Sequence, residues 1–368
     1  MNYVYKFGEF SIPLWIHTLF WLLYVIPFLF ILKKLVLNKE KEFLRTRTKV
    51  FFALYFIVFV IFYCIGTDYF SYRDWMYGRD FATWGKEMVY MVLILFCRLL
   101  PTNYPYEFFR LIVWGGAILI VYLSAWQYRK HFNPGLAIVF LFVLYCSAFS
   151  YARASLAMSV YFAGLSLFLN VQKRILKILA IILATSSYFF HHEMIVGIGL
   201  LPCLFIPFER KRVLFLSIFG ILVALIAFSF SDFNVEYLNS VFDNDDISSQ
   251  IEHFNQKEQR PFRLSTLVSY LNHFYPFCLI TTLFWKKKIP YSVTKMYRII
   301  YGILVVSIAF MVVSGPRSVF TYRVLYISMI PLTLLVDYCY CIGYFKQKQL
   351  LIMMALALLS NSVLFINA

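Results

Sequence analysis

The feature that most restricts the fold is a succession of apolar runs, each close to the roughly 20 residues an α-helix needs to cross a bilayer's hydrocarbon core. In hydrocarbon each backbone N–H and C=O has to be satisfied inside the protein, so runs of this kind fold as helices. Composition agrees: 62% of residues are hydrophobic and 14% charged, against roughly 45–50% and about 25% in soluble domains. A soluble globular protein is therefore excluded. The formal charge of +16 falls mostly in short loops between apolar runs. There it orients helices, and a nucleic-acid partner is not indicated. The seven cysteines lie in or beside apolar runs without a C-x-x-C pair, so neither a metal site nor a disulfide framework is expected. The first apolar run lacks a signal-peptide cleavage pattern and is long enough to stay as a span.

Taken in order, the runs alternate. Phe10–Leu32 leads to a loop bearing Lys33, Lys34, Lys39, Lys41, Arg45, Arg47 and Lys49 against Glu40 and Glu42, which the positive-inside rule makes cytoplasmic. Val50–Gly66 crosses back to an aromatic, polar outside loop, 67–86. Glu87–Leu100 is apolar but short, carries Arg98 and stops at Pro101, so it reads as a re-entrant or interfacial helix. Phe108–Trp126 returns to Tyr128-Arg-Lys-His131. The pairs Leu136–Ala152 with Ala154–Asn170, and Ile175–Phe190 with Met194–Phe208, turn on the outside at Arg153 and at His191-His-Glu193. Val213–Phe230 goes out to an acidic loop, 231–264, and Ser265–Trp285 returns. Lys295–Ser314, Thr321–Cys341 and Leu350–Phe365 complete the chain. The expectation is an all-α polytopic membrane protein of about 11–12 transmembrane helices plus the re-entrant one, in a single domain over residues 1–368.

In that topology most of the 34 Lys and Arg lie inside and most of the 18 acids outside. The costly polar residues collect on the outer face: Asp68, Tyr72, Arg73, Asp74, Arg79 and Asp80, then Arg153, then His191, His192 and Glu193. Arg260 and Arg263 follow, then Arg317 and Arg323. Separate turns delivering charge to one face read as the lining of a shared polar cavity. Arginine suits a pyrophosphate site because its planar fork meets two phosphate oxygens at once. Simpler roles stay open residue by residue. Arg153, Arg317 and Arg323 can snorkel to headgroups, Asp68 can satisfy amides at a helix end, and the histidine turn can be a hydrated connection. Two adjacent histidines point about 100° apart on a helix, so a metal pair is not expected. One histidine oriented by a carboxylate suits a base or proton relay. Asp337, near the cytoplasmic end of its span, is expected to pair locally.

Gly66-Thr-Asp68-Tyr69, with Tyr72 and Tyr77 following, resembles the G-x-D-x-x-x-Y pattern of the EpsG-like proteins, grouped with the Wzy-type bacterial polysaccharide polymerases. Arg153-Ala-Ser-Leu-Ala157 is similar to that family's R-Q-x-L-A turn, and Phe190-His191-His-Glu-Met194 to its F-H-x-[ST]-[AG] turn. Tyr322-Arg323-Val-Leu-Tyr326 resembles its late R-x-x-x-Y. Ala154 stands where the family usually has Gln, and Glu193 where it has a small hydroxyl residue. The resemblance implies a GT-C-like or Wzy-like helical bundle in the bacterial inner membrane. It implies a glycosyltransferase that joins undecaprenyl-diphosphate-linked oligosaccharides at the outer face, for O-antigen, capsule or exopolysaccharide. Asp68 or His191 would act as base, with His192 and Glu193 beside it. Arg153, Arg323 and Arg317 would meet the pyrophosphate, and Tyr72, Arg73, Asp80 and Arg260 the rest of the substrate. No cofactor or metal is implied; the partners are the lipid-linked oligosaccharide, the bilayer and a candidate chain-length regulator.

Two other classes carry the same composition. A flippase for the same lipid would spread its charges through the bilayer and show a two-fold repeat, and the sequence has neither. An O-antigen ligase would share donor and face but usually has a very large periplasmic loop, against the modest 231–264.

Overall fold

A computed structural model describes residues 3–7, 10–37, 45–62, 72–73, 76–77, 88–146, 152–205, 264–286, 291–314 and 319–367. A short antiparallel hairpin, β1 (Tyr3–Phe7) and β2 (Phe10–Pro13), precedes the helices, with Lys6 opposite Ser11 and Phe7 opposite Phe10. The helices are α1 (Leu14–Val36), α2 (Thr46–Phe62), α3 (Met88–Leu99), α4 (Pro105–Trp126), α5 (Pro134–Tyr145), α6 (Ala152–Asn170) and α7 (Arg174–Ser186). After α8 (Ile195–Gly199) come α9 (Leu264–Lys286), α10 (Tyr291–Ser314), α11 (Val319–Cys341) and α12 (Gln347–Asn367). The protein is an all-α membrane protein with this one small hairpin added.

Among the described residues, Trp15–Lys34, Pro105–Trp126 and Val324–Cys341 are long and apolar enough to cross a membrane. The 12 residues of α3 extend about 18 Å, well short of the ~30 Å hydrocarbon core. Over its described residues α3 is too short to cross by itself, and residues 78–87 before it lie outside the described residues. Two expected boundaries move. The first run is interrupted at Pro13, so its first four residues pair as a strand and the helix begins at Leu14. The expected Met194–Phe208 crossing is broken as far as it is described: a 3₁₀ turn His192–Met194, the five-residue α8, and a second 3₁₀ turn Leu201–Leu204. Gly197, Gly199 and Pro202 explain the break, since glycine weakens a helix and proline removes a ladder donor. The expected span 213–230 and the loop 231–264 lie outside the described residues.

The core is built on α5 and α11. Ten consecutive residues of α5, Leu136 to Tyr145, are buried, as is α11 from Val324 to Val336 with one partly exposed position, Tyr326. Around them, α1 turns Leu22, Ile26 and Leu29 outward and α2 turns Phe51, Leu54 and Val58 outward. Apolar side chains on both faces are what a helix between protein and lipid requires. Polar backbone atoms are satisfied across helices. Pro27 lacks the N–H that would bond the Leu23 carbonyl, and Tyr55 Oη donates to that oxygen instead at 2.6 Å. The α6–α7 hairpin packs backbone to backbone at Gly164, where a Cβ would come 2.4 Å from the Ala184 nitrogen and 2.6 Å from the Ala180 oxygen. Small residues permit this approach. Gly343, at φ +71°, closes α11 with Tyr344 N–H donating to Cys339 O and Gly343 N–H to Tyr340 O.

Both ends of α5 are fastened. At its start, Asn133 caps the helix, accepts from Lys49 Nζ at 3.0 Å, and gives its own N–H to Asp337 Oδ2 at 2.6 Å. Asp337 thus pairs locally at the basic-loop end, as expected, and Cys341 Sγ donates to its other oxygen at 3.3 Å. At the far end, the carbonyls of Val143 and Leu144 accept from Tyr24 Oη, Asn272 Nδ2 and Asn361 Nδ2 at 2.8–3.4 Å. Carbonyls near a helix C-terminus need partners from outside the helix, and α1, α9 and α12 supply them.

Candidate functional site

At the end of the bundle opposite Asp337, α6 begins with Ala152-Arg153. Arg153 therefore sits in the first turn of a 19-residue helix, where unpaired N–H groups and the helix dipole already favour an anion. Its guanidinium carbon lies over the Tyr72 ring, 6.0 Å from the centroid. A cation–π contact of this kind restricts where the guanidinium lies. Tyr72 is buried at 1% exposure, and its ring packs on Tyr90 at 6.0 Å and Phe109 at 5.3 Å. Tyr90 Oη donates to the Arg153 carbonyl at 3.0 Å.

The same aromatic group reaches the histidine turn. Tyr90 meets Phe190 edge to face, with centroids 6.4 Å apart, and Phe190 precedes His191. His191 Nε2 lies 3.1 Å from Glu193 Oε2, each side chain 14% exposed. His192 goes elsewhere, its ring 4.8 Å from that of Tyr188. The adjacent histidines therefore part, as their spacing requires, and His191 is the one with a carboxylate. The turn is seated by α6, where Tyr161 Oη donates to Gly197 O at 2.8 Å. It is seated by α11 too, where Ile327 Cγ2 would lie 3.3 Å from a Cβ on Gly197. Arg323 stands on α11 one turn before Ile327.

Tyr72, Arg153, His191 and Glu193 are thus gathered at one end, with the α11 backbone that carries Arg323. Arg73 is exposed beside Tyr72. Asp68, Asp80, Arg260 and Arg317 lie outside the described residues, as does the Arg323 side chain. Among the described residues no group of three or more His, Cys, Asp or Glu could hold a metal ion.

Two further arginines, Arg110 and Arg98, hold carbonyls of neighbouring segments. Arg110, 3% exposed, donates Nη2–H to Val60 O at 2.7 Å and lies over Trp114 and Tyr106. It serves the C-terminal carbonyls of α2. Arg98 Nε donates to Met76 O at 2.9 Å, tying the 72–77 segment to α3.

The sequence model of the EpsG family matches residues 63–368. The chain belongs to the EpsG family. This is a family of Wzy-type polysaccharide polymerase-like proteins, and the motifs that hold Asp68, Arg153, His191 and Arg323 all fall inside the matched stretch. No curated protein and no solved structure matches the chain. The EpsG match starts just past α2, so the hairpin, α1 and α2 lie outside it, although Tyr24 of α1 and Lys49 of α2 hold α5. Sequence reasoning missed Tyr90, which touches both Tyr72 and Arg153. One tyrosine among 28, inside an apolar run, carries no signal of its own.

Proposed function

We propose that this chain is a polysaccharide polymerase, acting as a single polytopic domain in the bacterial cytoplasmic membrane. It is a glycosyltransferase that joins undecaprenyl-diphosphate-linked oligosaccharide repeats on the outer face, for O-antigen, capsule or exopolysaccharide. The observation that carries the reading is the Arg153 guanidinium, lying over the Tyr72 ring at a helix N-terminus and linked through Tyr90 and Phe190 to the His191–Glu193 pair. An anion-binding fork and a carboxylate-oriented base at one end of a membrane bundle are the parts this transfer needs.

In the reaction, a hydroxyl of the acceptor sugar attacks the anomeric carbon of the donor repeat. The new glycosidic C–O bond forms as the bond to the lipid diphosphate breaks. Arg153, with Arg323 and Arg317, neutralises charge developing on the departing diphosphate. His191, its Nε2–H held by Glu193, takes the hydroxyl proton, or Asp68 does. Tyr72, Arg73, Asp80 and Arg260 meet the sugars and the remaining phosphate oxygens, and aromatic rings suit sugar faces. Family membership supports the polymerase class, and the apolar helices support its membrane setting.

The test is incubation of purified protein with undecaprenyl-diphosphate-linked repeat units, products resolved by gel. Wild type yields a ladder of repeat multiples, and Arg153→Ala of equal thermal stability slows it about 100–1,000-fold. No ladder, with lipid instead moving between liposome leaflets, overturns the polymerase for a flippase. Single repeats moved to another acceptor overturn it for a ligase.

A further inference from the structure

We infer that Tyr90, on helix α3, is a positioning residue that holds Arg153 in place for the diphosphate; this rests on the polymerase reading above. The tyrosine is 1% exposed and engages the site in three directions. Its hydroxyl donates to the Arg153 carbonyl at 3.0 Å. One side of its ring meets Tyr72, the ring on which the Arg153 guanidinium lies. Its edge-to-face contact with Phe190 reaches the residue before His191. A backbone bond to Arg153 and a ring contact to the partner of its side chain together fix where the fork starts and which way it faces.

The rest of α3 fits this role. Tyr90, Ile94 and Cys97 are buried at i, i+4 and i+7, a stripe that seats one face of the helix on the protein. From its last turn, Arg98 bonds Met76 O, so α3 grips the segment that carries Tyr72 as well as the turn that carries Arg153. Through Tyr90 near its start and Arg98 near its end, α3 acts as a brace that holds two separate segments of chain in register.

Tyr90→Phe keeps the ring and removes only the hydroxyl. Two readouts are combined. The first is labelling of Arg153 by phenylglyoxal, followed by mass spectrometry, which requires no turnover. The rate is expected to rise about fivefold in Tyr90→Phe, the worth of one lost hydrogen bond, while the thermal unfolding temperature stays near wild type. The second is ladder growth: kcat with the lipid-linked repeat falls about five- to tenfold. In an Arg153→Ala background, adding Tyr90→Phe brings no further loss, because the hydroxyl acts through a guanidinium that is gone. An unchanged labelling rate overturns the positioning role, and additive losses in the double variant overturn the route through Arg153. Faster labelling in a protein whose wild type builds no ladder upholds the geometry and overturns the polymerase reading alone.

Discussion

At the scale of single residues, the histidine turn divides labour between neighbours. The His191 ring is bonded to Glu193 and the His192 ring lies against Tyr188, so replacing the two has unequal effects. His191→Gln is expected to slow ladder growth by roughly 10²–10⁴, the usual worth of general-base help. Glu193→Gln, which keeps an acceptor but loses the charge that favours imidazolium, costs about tenfold. Initial rates on purified lipid-linked repeats measure both, and a larger loss from His192→Gln would move the base to the other ring. Arg153 and the histidine turn were legible in the sequence because charge among apolar runs is costly and so conspicuous. Tyr90 was not. Its role comes from where its hydroxyl points, and an aromatic residue in a lipid-facing chain gives no such hint.

At the scale of elements, the relation between Arg153 and His191 depends on how closely α6 and α7 lie. Arg153 starts α6, α7 leads into the histidine turn, and the two helices meet at Gly164 with Ala180 and Ala184. Any Cβ at 164 would fall under 3 Å from backbone atoms, which cannot rotate away as a side chain would. Gly164→Ala is expected to destabilise by about 1–3 kcal/mol, and Gly164→Leu to leave little folded protein. Thermal unfolding in detergent, followed by size-exclusion fluorescence, reads both; an unshifted Ala variant would mean that the hairpin is slack. Apolar length gave away the long helices, and the short reach of α3 followed from Arg98 and Pro101. The broken stretch after His192 was less legible. Its apolar content resembles a span, while Gly197, Gly199 and Pro202 decide the matter through backbone geometry rather than hydropathy.

At the scale of the whole molecule, one end carries basic loops and the other carries Arg153 and the histidine turn. Lys49, Asn133 and Asp337 join three loop-proximal segments at the first end. The orientation expected from the positive-inside rule has a direct check. In a cysteine-free background, a membrane-impermeant thiol reagent should label Tyr104→Cys in intact cells. It should label Arg129→Cys only after permeabilisation; both side chains are exposed. The reverse pattern would invert the protein and put the site on the cytoplasmic face. A last consequence comes from α5, bonded at its start to α2 and α11 and at its far end to α1, α9 and α12. A strut fastened at both ends resists rocking, and Arg153, at the start of the next described helix, is expected to keep a constant depth in the membrane. On the proposed function the site then works as a fixed anvil: each lipid carrier has to bring its diphosphate to the same level, and membrane thickness becomes part of the site's geometry.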